Sequence, residues 1–117
     1  MNEGAMSDLF IDDSHTFEET IPEVPGIYPS LFVVYRRAVN VGRLKYFKAM
    51  DRTPEEQDEI TAKLFVEHVQ DWDATLDGKK APIVVDLVKR VPPGLRTKIL
   101  DLILGYTPAK ASADAKN

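Results

Sequence analysis

His15 and His68 are the only histidines in the chain, and cysteine is absent. A metal site needs several ligands at short spacing, and neither histidine has a second His or Cys near it in sequence. Without cysteine there is no disulfide, thiolate ligand or cysteine nucleophile. His68 and Asp71 lie three residues apart, so on a helix they form a carboxylate–imidazole pair; the competing reading is a half-buried histidine at the edge of an apolar stripe, and we adopt it. Ser14, Ser30 and Ser112 belong to no nucleophile motif. Gly26, Gly42, Gly78, Gly94 and Gly105 stand singly, as turn and cap glycines do, and make no phosphate loop. Glu55, Glu56, Asp58 and Glu59 cluster in what reads as the first turns of a helix, where the macrodipole favours acids. No residue is expected to be catalytic, to ligate metal or to hold a cofactor, and an enzyme is not expected.

Recognition is the chemistry this sequence does offer. Phe65 and Trp72 lie on an apolar stripe that suits either a core or a groove receiving a partner helix. Leu100 and Leu104 fall off the inward face of the last helical segment, where another element or a partner can meet them. Phe32, Tyr35 and Arg36 belong to a strand-like run whose hairpin edge is a place for strand addition. These are the candidate partner contacts.

The elements that must position them read as follows. Thr16–Val24 and Leu31–Arg37 are rich in β-branched and aromatic residues, with Pro25-Gly26 as the turn between them. They form an antiparallel hairpin within residues 14–37. A lone hairpin is marginal in water, so it must lie on the helices or be completed by another chain. From Asn40 a short helix carries Val41, Leu44, Phe47 and Met50 on one face and Arg43, Lys45 and Lys48 on the opposite one. Thr53, Pro54 and Glu56 make a helix start with a capping box. Ile60, Leu64, Phe65, His68, Val69, Trp72 and Leu76 recur at helical spacing, so the spacing predicts one long helix ending at Asp77-Gly78. Pro82 opens a further helix with Val84, Leu87, Val88 and Val91 on one face, against a buried strand as the rival reading. Pro92-Pro93-Gly94 breaks it. A last helix has Leu95, Ile99, Leu102 and Ile103 inward and Gly105 as C-cap.

The expected fold is therefore α+β and mainly helical, with an N-terminal β-hairpin packed on about four α-helices. Residues 14–106 form one domain, with helices across 40–105. Residues 1–13 are expected to be a flexible acidic arm, Met6 offers an alternative start, and residues 107–117 are expected to be a disordered tail. Within the arm, Leu9-Phe10-Ile11 is an apolar triplet among acids. It reads as a short strand or core plug, or else as a docking motif.

The net charge of −4 disfavours non-specific nucleic-acid binding, and no row of base-reading side chains occurs on the longest helix. The distribution is uneven. Glu3, Asp8, Asp12, Asp13, Glu18, Glu19 and Glu23 precede any base, whereas Arg36, Arg37, Arg43, Lys45, Lys48 and Arg52 face only Asp51 in their own segment. The two regions face each other in the fold, are simply solvated, or meet a charged partner. No apolar run approaches the ~18 residues of a membrane span, and the acidic N-terminus is no signal peptide. A cytoplasmic location is expected, with neither membrane nor nucleic acid as partner.

A set of landmarks carries one further expectation. Tyr35-Arg36, Val69 with Trp72-Asp73, Asp77-Gly78, and Pro92-Pro93 followed by Leu95 stand in an order similar to that of the small tail assembly chaperones of long-tailed bacteriophages and prophages. The resemblance spans roughly residues 14–106; the acidic arm and the C-terminal tail have no counterpart. It implies a non-enzymatic protein that binds and solubilises the tape-measure protein and helps recruit tail-tube subunits. It also implies action in the cytoplasm of the bacterial host and absence from the mature virion; self-association is compatible with the role. The alternatives are a virion structural subunit (a tail-completion or head–tail connector protein) and a small regulatory binding module.

Overall fold

Thr16–Ile21 and Leu31–Arg36 form strands β1 and β2, an antiparallel pair running from Thr16 opposite Arg36 to Ile21 opposite Leu31 in a computed structural model that describes residues 15–106. The expectations for residues 1–13 and 107–117 lie outside the described residues. Between the strands, Val24 bridges to Tyr28, and Gly26 adopts a φ of 78° that a side chain would resist. β2 alternates cleanly, with Leu31, Val33 and Tyr35 buried and the intervening residues half-buried. The hairpin is not left alone. A third strand, β3 (Val69–Trp72), pairs antiparallel with β2 to give the order β1-β2-β3, with a register irregularity at Val34/Tyr35.

β3 corrects the long-helix expectation. Helix α2 spans Pro54–His68, and Val69 has already turned to extended backbone at φ −82°, ψ 116°. The apolar spacing continues past His68, but β2 has an open edge there, and Val69 and Trp72 serve the core equally well from a strand. Tertiary pairing outweighs the helical period. Asp77-Gly78 is correspondingly not a helix stop. Both residues have positive φ, 54° and 78°, and they connect β4 (Thr75–Leu76) to β5 (Lys79–Lys80) as a two-residue hairpin loop.

The start of α2 is as expected. The Thr53 hydroxyl accepts from the Glu56 N–H at 3.2 Å, and the Glu56 carboxylate accepts from the Thr53 N–H at 3.1 Å. α1 spans Asn40–Ala49. The helix expected from Pro82 is a single turn, α3 (Val85–Val88), because Val84 remains extended at φ −131°, ψ 154°. Of its expected inward face, Val88 is fully buried whereas Val84 is 43% exposed. Pro92 and Pro93 start α4 (Pro93–Leu104), which ends on Gly105 in the left-handed conformation.

α4 lies at the centre of the fold. Leu95, Ile99, Leu100, Leu102, Ile103 and Leu104 are all buried, so its apolar surface is covered nearly all round. The Ile103 carbonyl accepts from the Ala38 N–H at 2.7 Å, tying the end of α4 to the β2–α1 connection. Arg96 ties its start to α2, donating to the Asp58 carboxylate at 2.6 Å and to the Asp58 carbonyl and Thr61 hydroxyl at 2.8 Å each. Phe65, Leu64, Ile99, Ile103, Val33 and Val88 are the largest fully buried side chains, so the core sits where sheet, α2, α3 and α4 meet.

Candidate interaction surface

The expected contact residues lie mainly in the interior. Phe65 is 0% exposed and Trp72 3%, their rings meeting edge to face at 5.8 Å, and the Trp72 indole N–H donates to the Ala81 carbonyl at 2.8 Å. Leu100 and Leu104 are buried in α4. Tyr35 is buried and stacks on Phe17 at 5.7 Å, and its burial pushes the phenol above its ordinary pKa. Phe32 and Arg36 are half-buried; the Arg36 guanidinium donates to the Glu67 carbonyl at 2.6 Å, near the negative end of α2. These side chains are not brought together on one surface. Of the two readings for each, Phe65 and Trp72 belong to the core rather than to a groove, and Leu100 and Leu104 are buried within the fold.

The landmark residues have structural roles of the same kind. The Asp73 carboxylate accepts from the Phe32 N–H at 2.9 Å, while the Phe32 carbonyl accepts from the Asp73 N–H at 3.1 Å, which fastens the end of β3 to the start of β2. Asp77-Gly78 supplies a hairpin loop and Pro92-Pro93 a helix start, as described above. His68 does not pair with Asp71. Its Nδ1 lies 2.9 Å from the Leu64 carbonyl, and Asp71 is held by Lys80, whose ammonium lowers the carboxylate's pKa. Among the described residues no group of three or more His, Cys, Asp and Glu could hold a metal ion.

Among the described residues, the largest group of exposed apolar side chains lies along α1, with Ile27, Leu76, Val84 and Tyr106 exposed elsewhere. The inner side of α1 is built from small residues, Gly42 and Ala49, with Tyr46 half-buried beside them. A Cβ at Gly42 would stand 3.0 Å from the Ala38 Cβ and 3.5 Å from the His68 ring, so α1 sits close against its neighbours while burying little of its own apolar surface. Its large apolar side chains point away. Val41 is 65% exposed, Leu44 49%, Phe47 52% and Met50 46%. At 100° per residue, Leu44 and Phe47 lie at the centre of the outer face, with Arg43 and Lys48 on its two flanks rather than opposite it as expected. Hydrophobic spacing marks this face in the sequence; its outward orientation follows from Gly42 and Ala49, which only the packing reveals.

Beside the ridge, a shallow groove of about 320 Å³ runs between α1 and α2, lined by Lys45, Lys48, Arg52, Ile60, Lys63, Leu64 and Glu67. Four cations thus surround an aliphatic floor, against one acid. Lys45 is paired with Glu67 at 3.7 Å, Arg52 with Glu56 at 3.7 Å and Lys63 with Glu59 at 3.5 Å. Arg43 and Lys48 have no ion-pair partner among the described residues. The surface is chemically suited to an apolar segment that carries acids. β1, with no strand on its outer side among the described residues, offers a second and more polar edge.

No protein-family model, curated protein or solved structure matches this chain. Among the described residues no helix is long and apolar enough to cross a membrane.

Proposed function

We propose that this protein is a non-enzymatic tail assembly chaperone of a long-tailed bacteriophage or prophage, and that α1 is the face with which it holds the tape-measure protein. The observation that carries the binding role is the exposed apolar face of Val41, Leu44, Phe47 and Met50, with Arg43 and Lys48 on either side of the central pair Leu44 and Phe47. A soluble domain of this size seldom leaves such a ridge on one helix without a partner for it. A long amphipathic helix with acids beside its apolar stripe is complementary in both shape and charge. The order of the Tyr-Arg, Trp-Asp, Asp-Gly and Pro-Pro landmarks supports the assignment to tail assembly, together with recruitment of tail-tube subunits, action in the host cytoplasm and release before the particle is complete.

Co-expression with a tape-measure fragment tests the reading. The fragment is expected to stay soluble and to co-purify with the wild-type chain. A fragment that remains insoluble in its presence removes the main support. Stoichiometric protein in purified virions, measured by mass spectrometry, would instead make it a structural subunit.

A further inference from the structure

We propose that the partner helix carries its acids along one flank of its apolar stripe, and that this flank lies over the groove between α1 and α2. The acidic flank then sets the direction in which the partner runs along α1. The inference rests on the reading of α1 as the binding face, and adds the chemistry and orientation of what that face holds.

The two sides of the face differ. Leu44 and Phe47 mark its centre. At 100° per residue, Lys48, Val41 and Lys45 follow on one side at the same angles as Arg43, Met50 and Tyr46 on the other. The first side adjoins α2. There Arg52 and Lys63 join Lys45 and Lys48 around Ile60 and Leu64, in the groove of about 320 Å³ whose lining holds Glu67 as its one acid. On the second side, Arg43 is the one charged residue that α1 contributes.

The cations of the groove are open to a partner. Lys48 has no ion-pair partner among the described residues. Lys45, Arg52 and Lys63 meet Glu67, Glu56 and Glu59 at 3.5–3.7 Å through solvent-accessible side chains. Surface pairs of this kind contribute little, so a partner's carboxylates replace them at small cost. Apolar contact with Leu44 and Phe47 supplies the attraction, and the cations fix which flank turns towards α2. A helix with its acids on the other flank satisfies both conditions only by turning end for end.

The same features select the class of partner. The lining of the groove includes no aromatic ring on which a nucleic-acid base could stack. A second copy of this chain would bring its own α1 cations to the face, a like-charge juxtaposition that disfavours the contact.

Two synthetic helical peptides serve as probes on the full-length chain. Each carries one leucine stripe, with glutamates along one flank and glutamines along the other; in the second peptide the flanks are exchanged. With a nitroxide at the peptide N-terminus, one isomer is expected to broaden the amides near Asn40 and the other those near Met50. Lys48→Glu should weaken either peptide about three- to tenfold. Arg43→Glu, at the matching angle on the other side, should leave affinity within about twofold. Both side chains are exposed, and unchanged α4 amides check that each variant is folded. Broadening at the same end by both isomers, or equal losses in the two variants, overturns the proposal while leaving α1 as the binding face. Peptides that fail to bind, or binding that survives Leu44→Asp with Phe47→Asp, overturn the α1 reading itself and this inference with it. An oligonucleotide that displaces the peptides at physiological ionic strength would assign the groove to nucleic acid. A dimer of the unliganded chain that Lys48→Glu alters would assign it to a second copy. Either result overturns the proposal too.

Discussion

Trp72 shows how one residue can carry both a sequence landmark and a structural role. Its ring fills the space beside Phe65, and its indole N–H satisfies the Ala81 carbonyl, which joins β3 to the segment after the β4–β5 ribbon. Trp72→Ala is expected to cost about 3–5 kcal/mol, through lost contacts and the cavity left behind. Trp72→Phe keeps most of the ring but leaves a buried carbonyl without its donor, at about 1–3 kcal/mol. Denaturant unfolding of the two variants separates packing from hydrogen bonding; a Trp72→Phe variant as stable as the wild-type chain would mean that the Ala81 bond contributes nothing.

Acid sensitivity belongs to the same scale. The Thr53 backbone and hydroxyl hold Glu56 below its ordinary pKa, Lys89 does the same for Glu59, and Lys80 for Asp71. A carboxylate with a depressed folded-state pKa binds fewer protons folded than unfolded, so its stabilisation is present above the unfolded pKa and lost as pH falls through the folded one. Asp101, raised by burial, works in the opposite direction, costing stability when ionised and recovering it on protonation. Three groups outnumber one. Stability should therefore be flat near neutrality and decline below roughly pH 4, where carboxylates protonate. Glu56→Gln should flatten part of that decline in urea titrations across pH.

At the scale of the element, what was legible divides cleanly by where the information lies. The hairpin, the α2 start and the α4 end were readable because a turn glycine, a capping box and a left-handed glycine each act locally. β3 was not, because Val69 and Trp72 satisfy a helical period and a strand equally, and the choice was made by the open edge of β2. The β4–β5 loop is hidden in the sequence for the same reason, since a helical period that reaches Leu76 makes Asp77-Gly78 read as a stop rather than as a hairpin loop. The ridge residues were readable as one face of α1. Its direction was not, because Gly42 and Ala49 turn inward only once Ala38 and His68 are in place.

α1 buries only Gly42 and Ala49, against six residues of α4, so it is expected to open more readily than α4. Its amides should exchange with solvent faster than those of α4 in hydrogen-exchange measurements on the full chain. Gly42→Val places branched carbons where a Cβ alone already meets Ala38 at 3.0 Å. The expected cost is about 1–3 kcal/mol, with exchange accelerated selectively in α1. Uniform acceleration across α2 and α4 would show that α1 is instead integral to the core.

The whole molecule separates into an apolar interior, to which Tyr35, Val69, Trp72 and Leu95 of the landmark residues contribute, and an exterior whose distinctive feature is one helix face. Substitutions on that face therefore separate binding from stability. Leu44→Asp with Phe47→Asp alters two half-exposed side chains, so unfolding should shift by no more than about 0.5 kcal/mol per site, while a tape-measure fragment should no longer be kept soluble. Titration of a soluble fragment onto the wild-type chain and the double variant reads the loss directly, and unchanged affinity in a variant of wild-type stability would place the partner on another part of the molecule.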